Sequence, residues 1–128
     1  MATNIYNGSH QQVVQWTNGT GSAVTAGSIV VMGATGDAVL GVALVDIANG
    51  ASGSVAYNCG VTAPKVSAAV FVAGASLVWD SSAGAFDDNQ AVAATGDVSG
   101  ACRAEVDGAN TETTCSVWLT GVPGTLTA

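Results

Sequence analysis

The feature that most limits what this chain can fold into is a recurrence of short apolar or alternating runs, each closed by a turn signal. "QVVQW", "SIVVM", "VLGVALV", "GSVAYNCGV", "PKVSA", "SLVWD", "DVSGACRAEV" and "TTCSVWLTGV" follow one another along the sequence. Between them stand Asn18-Gly19, Gly36-Asp37, Asn49-Gly50, Ala83-Gly84 and Asp107-Gly108, residue pairs that accept the positive φ of tight turns. No segment keeps a helical period between caps, and "PKVSAAVFVAGA" offers a single helical turn at most. The pattern predicts an all-β chain, a small β-barrel or a sandwich. Its 128 residues make one domain, enough to bury roughly two-thirds of the unfolded surface.

A faint internal repeat refines this expectation. Ala26-Gly27-Ser28-Ile29-Val30-Val31 resembles Ala73-Gly74-Ala75-Ser76-Leu77-Val78, and residues 39–61 parallel residues 98–122. In each case a strand interrupted by Gly41 or Gly100 leads to an Asp/Asn/Gly turn and a strand ending in Gly-Val. The reading is two related strand–hairpin–strand units that close on one another, with a bulge or sharp bend at the interior glycine. Residues 1–24 stand outside this repeat as an extended N-terminal arm and edge strand, and residues 25–128 form the body. Ile5, Tyr6, Val13, Val14 and Trp16 are large apolar groups in an otherwise polar stretch, which points to an arm that orders on a neighbouring subunit. Trp16 is the expected intersubunit anchor, because interface hot spots favour Trp.

Charge excludes several functions. Two basic residues, Lys65 and Arg103, face nine acidic ones, a net charge of −7 that repels phosphate backbones and argues against nucleic acid as a partner. The apolar runs fall short of a bilayer span, so no membrane insertion is expected. "MATNIYNGSHQQ" has neither the basic nor the apolar region of a signal peptide, which predicts synthesis in the cytoplasm. Only 9% of residues are charged, fewer than a free monomer's solvated surface usually carries, so part of the surface is expected to lie against other subunits.

Candidate chemistry is thin. "LVWDSSAGAFDD" gathers Asp80, Asp87 and Asp88 beside Trp79, but no cation neighbours them in sequence to split their pKa values, and the spacing is not that of an EF-hand. The segment reads as strand, turn and return strand with solvated carboxylates. His10 is the single histidine, which leaves catalytic triads and multi-histidine metal sites without support. "GATGD" lacks the Lys-Ser/Thr of a phosphate-binding loop. Cys59, Cys102 and Cys115 form no C-x-x-C pair; buried free thiols are the default, with Cys102 and Cys115 on strands that should pair. No catalytic residue, metal site or cofactor is expected. Trp79 and Trp118 fall in strands as barrel anchors, and Trp79 is also a candidate interaction residue.

The order of elements resembles the tailed-phage capsid cement, or head decoration, proteins. The resemblance rests on Gly27, Val30, Gly41-Val42-Ala43, Gly50, Gly53, Val55, Gly60, Pro64-Lys65, Gly74, Val78-Trp79-Asp80 and Gly84, and spans about residues 24–122. "GACRAEV" and the three cysteines depart from the family pattern. The resemblance implies a structural protein on the outer surface of a phage head. Its partners would be the major capsid protein and copies of itself, a homotrimer being preferred over a dimer, and it would stabilise the mature lattice by bridging capsomers. The alternative is a glycan-binding or adhesin-like β-module of a virion, in which Trp79-Asp80 and Asp87-Asp88 would form an aromatic platform flanked by acids.

Overall fold

The computed structural model describes residues 12–34, 37–89 and 93–127. Among them ten strands follow in order: β1 (Gln12–Thr17), β2 (Ile29–Ala34), β3 (Asp37–Ala43), β4 (Ser52–Tyr57), β5 (Cys59–Pro64), β6 (Ser76–Asp80), β7 (Ala85–Asp88), β8 (Val98–Ala104), β9 (Thr114–Leu119) and β10 (Thr125–Leu126). They form two antiparallel sheets, ordered β1-β4-β3-β2 and β5-β9-β8-β6-β7, with β10 added on β8. The all-β expectation holds, and of its two forms the sandwich is the one adopted. The second sheet curls until its edges meet at one parallel bridge, Lys65 to Phe86, but they do not pair along their length and no barrel closes.

The internal repeat is real and extends further than the sequence shows. β1 pairs with β4 from Gln12–Tyr57 to Thr17–Ser52, and β5 pairs with β9 from Cys59–Leu119 to Pro64–Thr114. The first strands are offset by 47 positions (59 minus 12) and their partners by 62 (119 minus 57), so the two registers coincide residue for residue. β1 is therefore the counterpart of β5, and the repeat starts at Gln12 rather than beyond the N-terminal stretch. The second unit adds β7 and β10. The boundary between units falls inside "GSVAYNCGV": Asn58, at φ 56°, breaks the run, and β4 and β5 go to different sheets.

Local chemistry repeats as well. Ser28 N–H donates to Thr25 O (3.1 Å) and Ala75 N–H to Val72 O (3.1 Å), closing turns whose third residues, Gly27 (φ 90°) and Gly74 (φ 87°), need positive φ. Each glycine then makes a bulge: Gly27 N–H donates to Ala43 O and Ala43 N–H to Ser28 O, as Gly74 N–H does to Ala104 O and Ala104 N–H to Ala75 O. Asp46 and Asp107 pin these turns, each accepting 2.8 Å from the N–H of Ala26 or Ala73. The expected equivalence of Gly41 and Gly100 does not hold. Ala43 and Ala104 occupy the same position, 61 apart (104 minus 43), which sets Gly41 opposite Cys102. Gly100, at φ 83°, lies where the β6–β8 register shifts, whereas Gly41 is crowded by Val55 and Met32. Of "PKVSA" only Pro64 lies in a strand, as the end of β5; the rest is a loop that touches the sheet at one isolated bridge, Lys65 to Phe86, and its neighbourhood holds turns rather than a helix.

The main core lies between the sheets. It is built from Ala38, Leu40 and Ala56 of the first sheet and Leu77, Trp79, Phe86, Val98, Cys102, Val117 and Leu119 of the second. Each large side chain fully buried there contributes about 1.5–3 kcal/mol. A smaller cluster, Val30, Ala43, Ile47 and Val55, covers the opposite face of the first sheet, with Val14, Trp16, Val24 and Met32 packed on it. Alternation along the strands thus leaves the first sheet apolar on both faces.

Candidate functional site

Of the acidic residues of "LVWDSSAGAFDD", Asp80 serves the turn it flanks, while Asp87 and Asp88 stand at the far end of the hairpin. β6 and β7 pair as Leu77–Asp88, Val78–Asp87, Trp79–Phe86 and Asp80–Ala85, and Gly84 N–H closes the hairpin on Asp80 O at 2.9 Å. The exposed Asp80 carboxylate accepts from the Ala83 N–H (3.1 Å) and the Ser82 hydroxyl (2.9 Å), which together hold it below the usual carboxylate range. Asp87 accepts from the Asp88 N–H at 2.8 Å. No cluster of metal-binding side chains occurs among the described residues. The chemistry here is that of a capped hairpin.

Trp79 is buried, with its ring edge-on to Phe86 at a centroid distance of 4.9 Å. An aromatic platform for a sugar is therefore not available at this position. The residual edge of Trp79 lines two grooves that adjoin at Ile29, the first residue of β2. One, about 460 Å³, is lined by Ala26–Ile29, Pro64 and Gly84; the other, about 400 Å³, by Val24, Ile29–Val31, Ser81, Gly96 and Leu126. Val13 is exposed on β1, while Val14 and Trp16 are half-buried over the smaller cluster, Trp16 lying opposite Gly53. Ile5, Tyr6 and His10 lie outside the described residues.

Two polar residues that sequence reasoning passed over hold the loops in place. Asn18 is fully buried at the end of β1; its Nδ2 donates to Ser22 O (2.8 Å) and Ile47 O (3.0 Å), and its Oδ1 accepts from the Thr20 N–H and hydroxyl. Lys65 occupies the same place after β5. Its buried Nζ donates to the carbonyls of Val66 (2.9 Å), Ser67 (3.0 Å) and Glu112 (3.1 Å). Their backbones match too, Asn18 N–H to Ala51 O and Lys65 N–H to Thr113 O, both 2.8 Å. Buried donors satisfied in this way fix the loops rather than act as reagents. The signal was the repeat itself, masked because Asn and Lys share no letter.

The three cysteines are free and buried. Burial pushes the Cys102 thiol up to about 12 and Cys115 to about 11, and burial followed by the nearby Glu105 raises Cys59. None is a nucleophile at neutral pH.

What remains is surface: an apolar edge, two grooves and exposed valines on a body with almost no cations. The model of the phage cement protein family matches residues 8–119. The chain belongs to the phage cement protein family. Comparison with curated proteins finds no match. Membership makes this cement protein a structural, non-enzymatic component that binds the capsid and is located on its surface. It explains why the buried polar groups are all used to fix loops, and why the surface carries the function.

Proposed function

We propose that this cement protein works as a homotrimer seated where capsomers meet on the mature phage head, each copy bridging major capsid proteins. Residues 1–24 serve as arm and edge strand, and residues 25–128 as the body. Ile5, Tyr6, Val13, Val14 and Trp16 make the contacts between copies or with the shell, and Trp79 contributes through its groove-facing edge. The observation that carries the reading is the exposed apolar surface. Val13, Val70, Val72, Val106 and Val122 are each about half exposed or more, on a chain whose charge is nearly all of one sign. Val45 and Val106 take the same place in the two repeats, the residue before Asp46 and Asp107, and both are exposed. Contacts that exist only in the mature lattice stabilise that state over a disrupted one, and many modest contacts add across the shell.

Sedimentation of the purified protein, with cryo-microscopy of decorated heads, tests the reading: three copies per unit are expected in both. A monomer in solution that also decorates heads singly would overturn the trimer. Trp16→Ala is expected to weaken attachment while the chain still folds, with some loss of stability because its ring packs on the cluster of Val30, Ala43, Ile47 and Val55.

A further inference from the structure

The two repeats differ in one respect that bears on assembly. In the second unit the outer edge of β6 is paired by β7; in the first unit the equivalent edge, β2, has no partner strand among the described residues. The 47-position offset sets Val31 against Val78, which pairs with Asp87, and Gly33 against Asp80, which pairs with Ala85. Ala43 N–H donates to Ser28 O, so alternation along the β2–β3 ladder turns the N–H and C=O of Ile29, Val31 and Gly33 away from β3. "IVVMGA" carries no charge and no proline, the usual devices that blunt an edge. The two grooves that include Trp79 meet at Ile29, the first residue of this strand, and the second follows it to Val31.

We propose that the open edge of β2 accepts residues Ala2–Asn7 of a second copy of this chain, which add as the strand that β7 supplies in the second unit. The inference rests on the oligomer proposed above and names the contact that would build it. Charge favours this occupant: all nine acids lie between Asp37 and Glu112, so the N-terminal segment is free of them while two bodies at −7 repel. Length fits as well, six residues against the six of β2. The segment leaves from β1, at the opposite edge of its own sheet, about 14 Å from its own β2 at the usual strand spacing. Donation to the next copy around a ring closes a cyclic assembly in which every subunit gives one strand and receives one.

Two variants test this on the full chain. Deletion of residues 2–11 removes the donor, and Val31→Pro blocks the acceptor at an N–H that β3 does not use. Sedimentation of wild type should give the assembled form, and each variant alone a monomer, a threefold drop in mass for a trimer. Mixed, the two variants should form a one-to-one dimer, because each keeps the half the other lacks. Hydrogen exchange at the Val31 amide gives a readout independent of the proline: protection should fall at least tenfold on deletion. An assembly that survives both changes overturns the β2 contact while leaving the oligomer standing. Loss on deletion but not with Val31→Pro puts the arm elsewhere and also overturns it. A monomeric wild type with a protected Val31 amide would mean that the arm docks on its own chain. Protection gained only on heads would mean a shell strand. Either rejects a second copy as the occupant. An arm-dependent dimer would keep the contact and reject the trimer.

Discussion

The bridge between Phe71 and Gly108 offers a direct test that the two halves are one design. In both units this position exchanges a pair of backbone hydrogen bonds, Phe71 N–H to Gly108 O (3.1 Å) with its return (2.8 Å), and Val24 N–H to Ile47 O (2.9 Å) with its return (2.8 Å). The apolar bulk has changed sides. In the first unit it is Ile47, fully buried under Val24; in the second it is Phe71, whose ring lies over Gly108. A Cβ at Gly108 would come within 2.5 Å of Phe71 Cε1 and 2.9 Å of Cε2, well inside van der Waals contact, so the ring would have to move by about 1 Å. Gly108→Ile alone should therefore cost about 2–3 kcal/mol by overpacking. Phe71→Val alone leaves a cavity worth about 2–4 kcal/mol. The double variant rebuilds the Val–Ile pair of the first unit and should lose no more than about 2 kcal/mol, a coupling of roughly 2 kcal/mol or more. Urea midpoints of the four proteins give the cycle. Additive losses would refute the equivalence of the two bridges.

Other consequences follow from the buried groups. Lys65→Met strips a donor from three carbonyls and should cost about 2 kcal/mol or more in urea unfolding, as should Asn18→Ala at the matching site; losses under about 0.5 kcal/mol would contradict their role as loop pins. The three thiols should resist a thiol reagent in the folded protein at pH 8 and all react in denaturant, and rapid labelling of native protein would contradict their burial. Cys102 binds its proton more tightly folded than unfolded, so the unfolded state loses protons first as pH rises, and stability falls from about pH 9 towards the folded value of about 12. At pH 11 Cys102 alone should cost about 3 kcal/mol relative to pH 8. Cys102→Ala should flatten that fall, and an unchanged slope would contradict the assignment.

Much of the fold was legible because strands and turns are written in local chemistry. The Ala-Gly turns at 26–27 and 73–74, the Asp-bearing loops after β3 and β8, and the β6–β7 hairpin all announce themselves by residue type. What stayed hidden depends on contacts distant in sequence. "QVVQWT" and "CGVTAP" share one residue in register, Val14 with Val61, so β1 looked like an appendage although it occupies the same place as β5. The bulge at Gly100 shifts one strand against the other and made two unrelated glycines look paired. Trp79 faces the core with Leu77 and packs on Phe86 of β7, and no local pattern distinguishes that face from the outer one. The candidate surface was harder still. That β2 has no partner strand among the described residues stands out only beside the second unit, where β7 pairs with the equivalent edge of β6.

As a cement protein, the chain should hold the mature shell together by binding to it. The most direct measurement adds purified protein in increasing amounts to mature heads lacking it, and records the temperature at which packaged DNA is released. Saturable binding is expected, with a release temperature that rises with occupancy and stops rising when sites are full. Absence of binding, or full decoration with an unchanged release temperature, would contradict it.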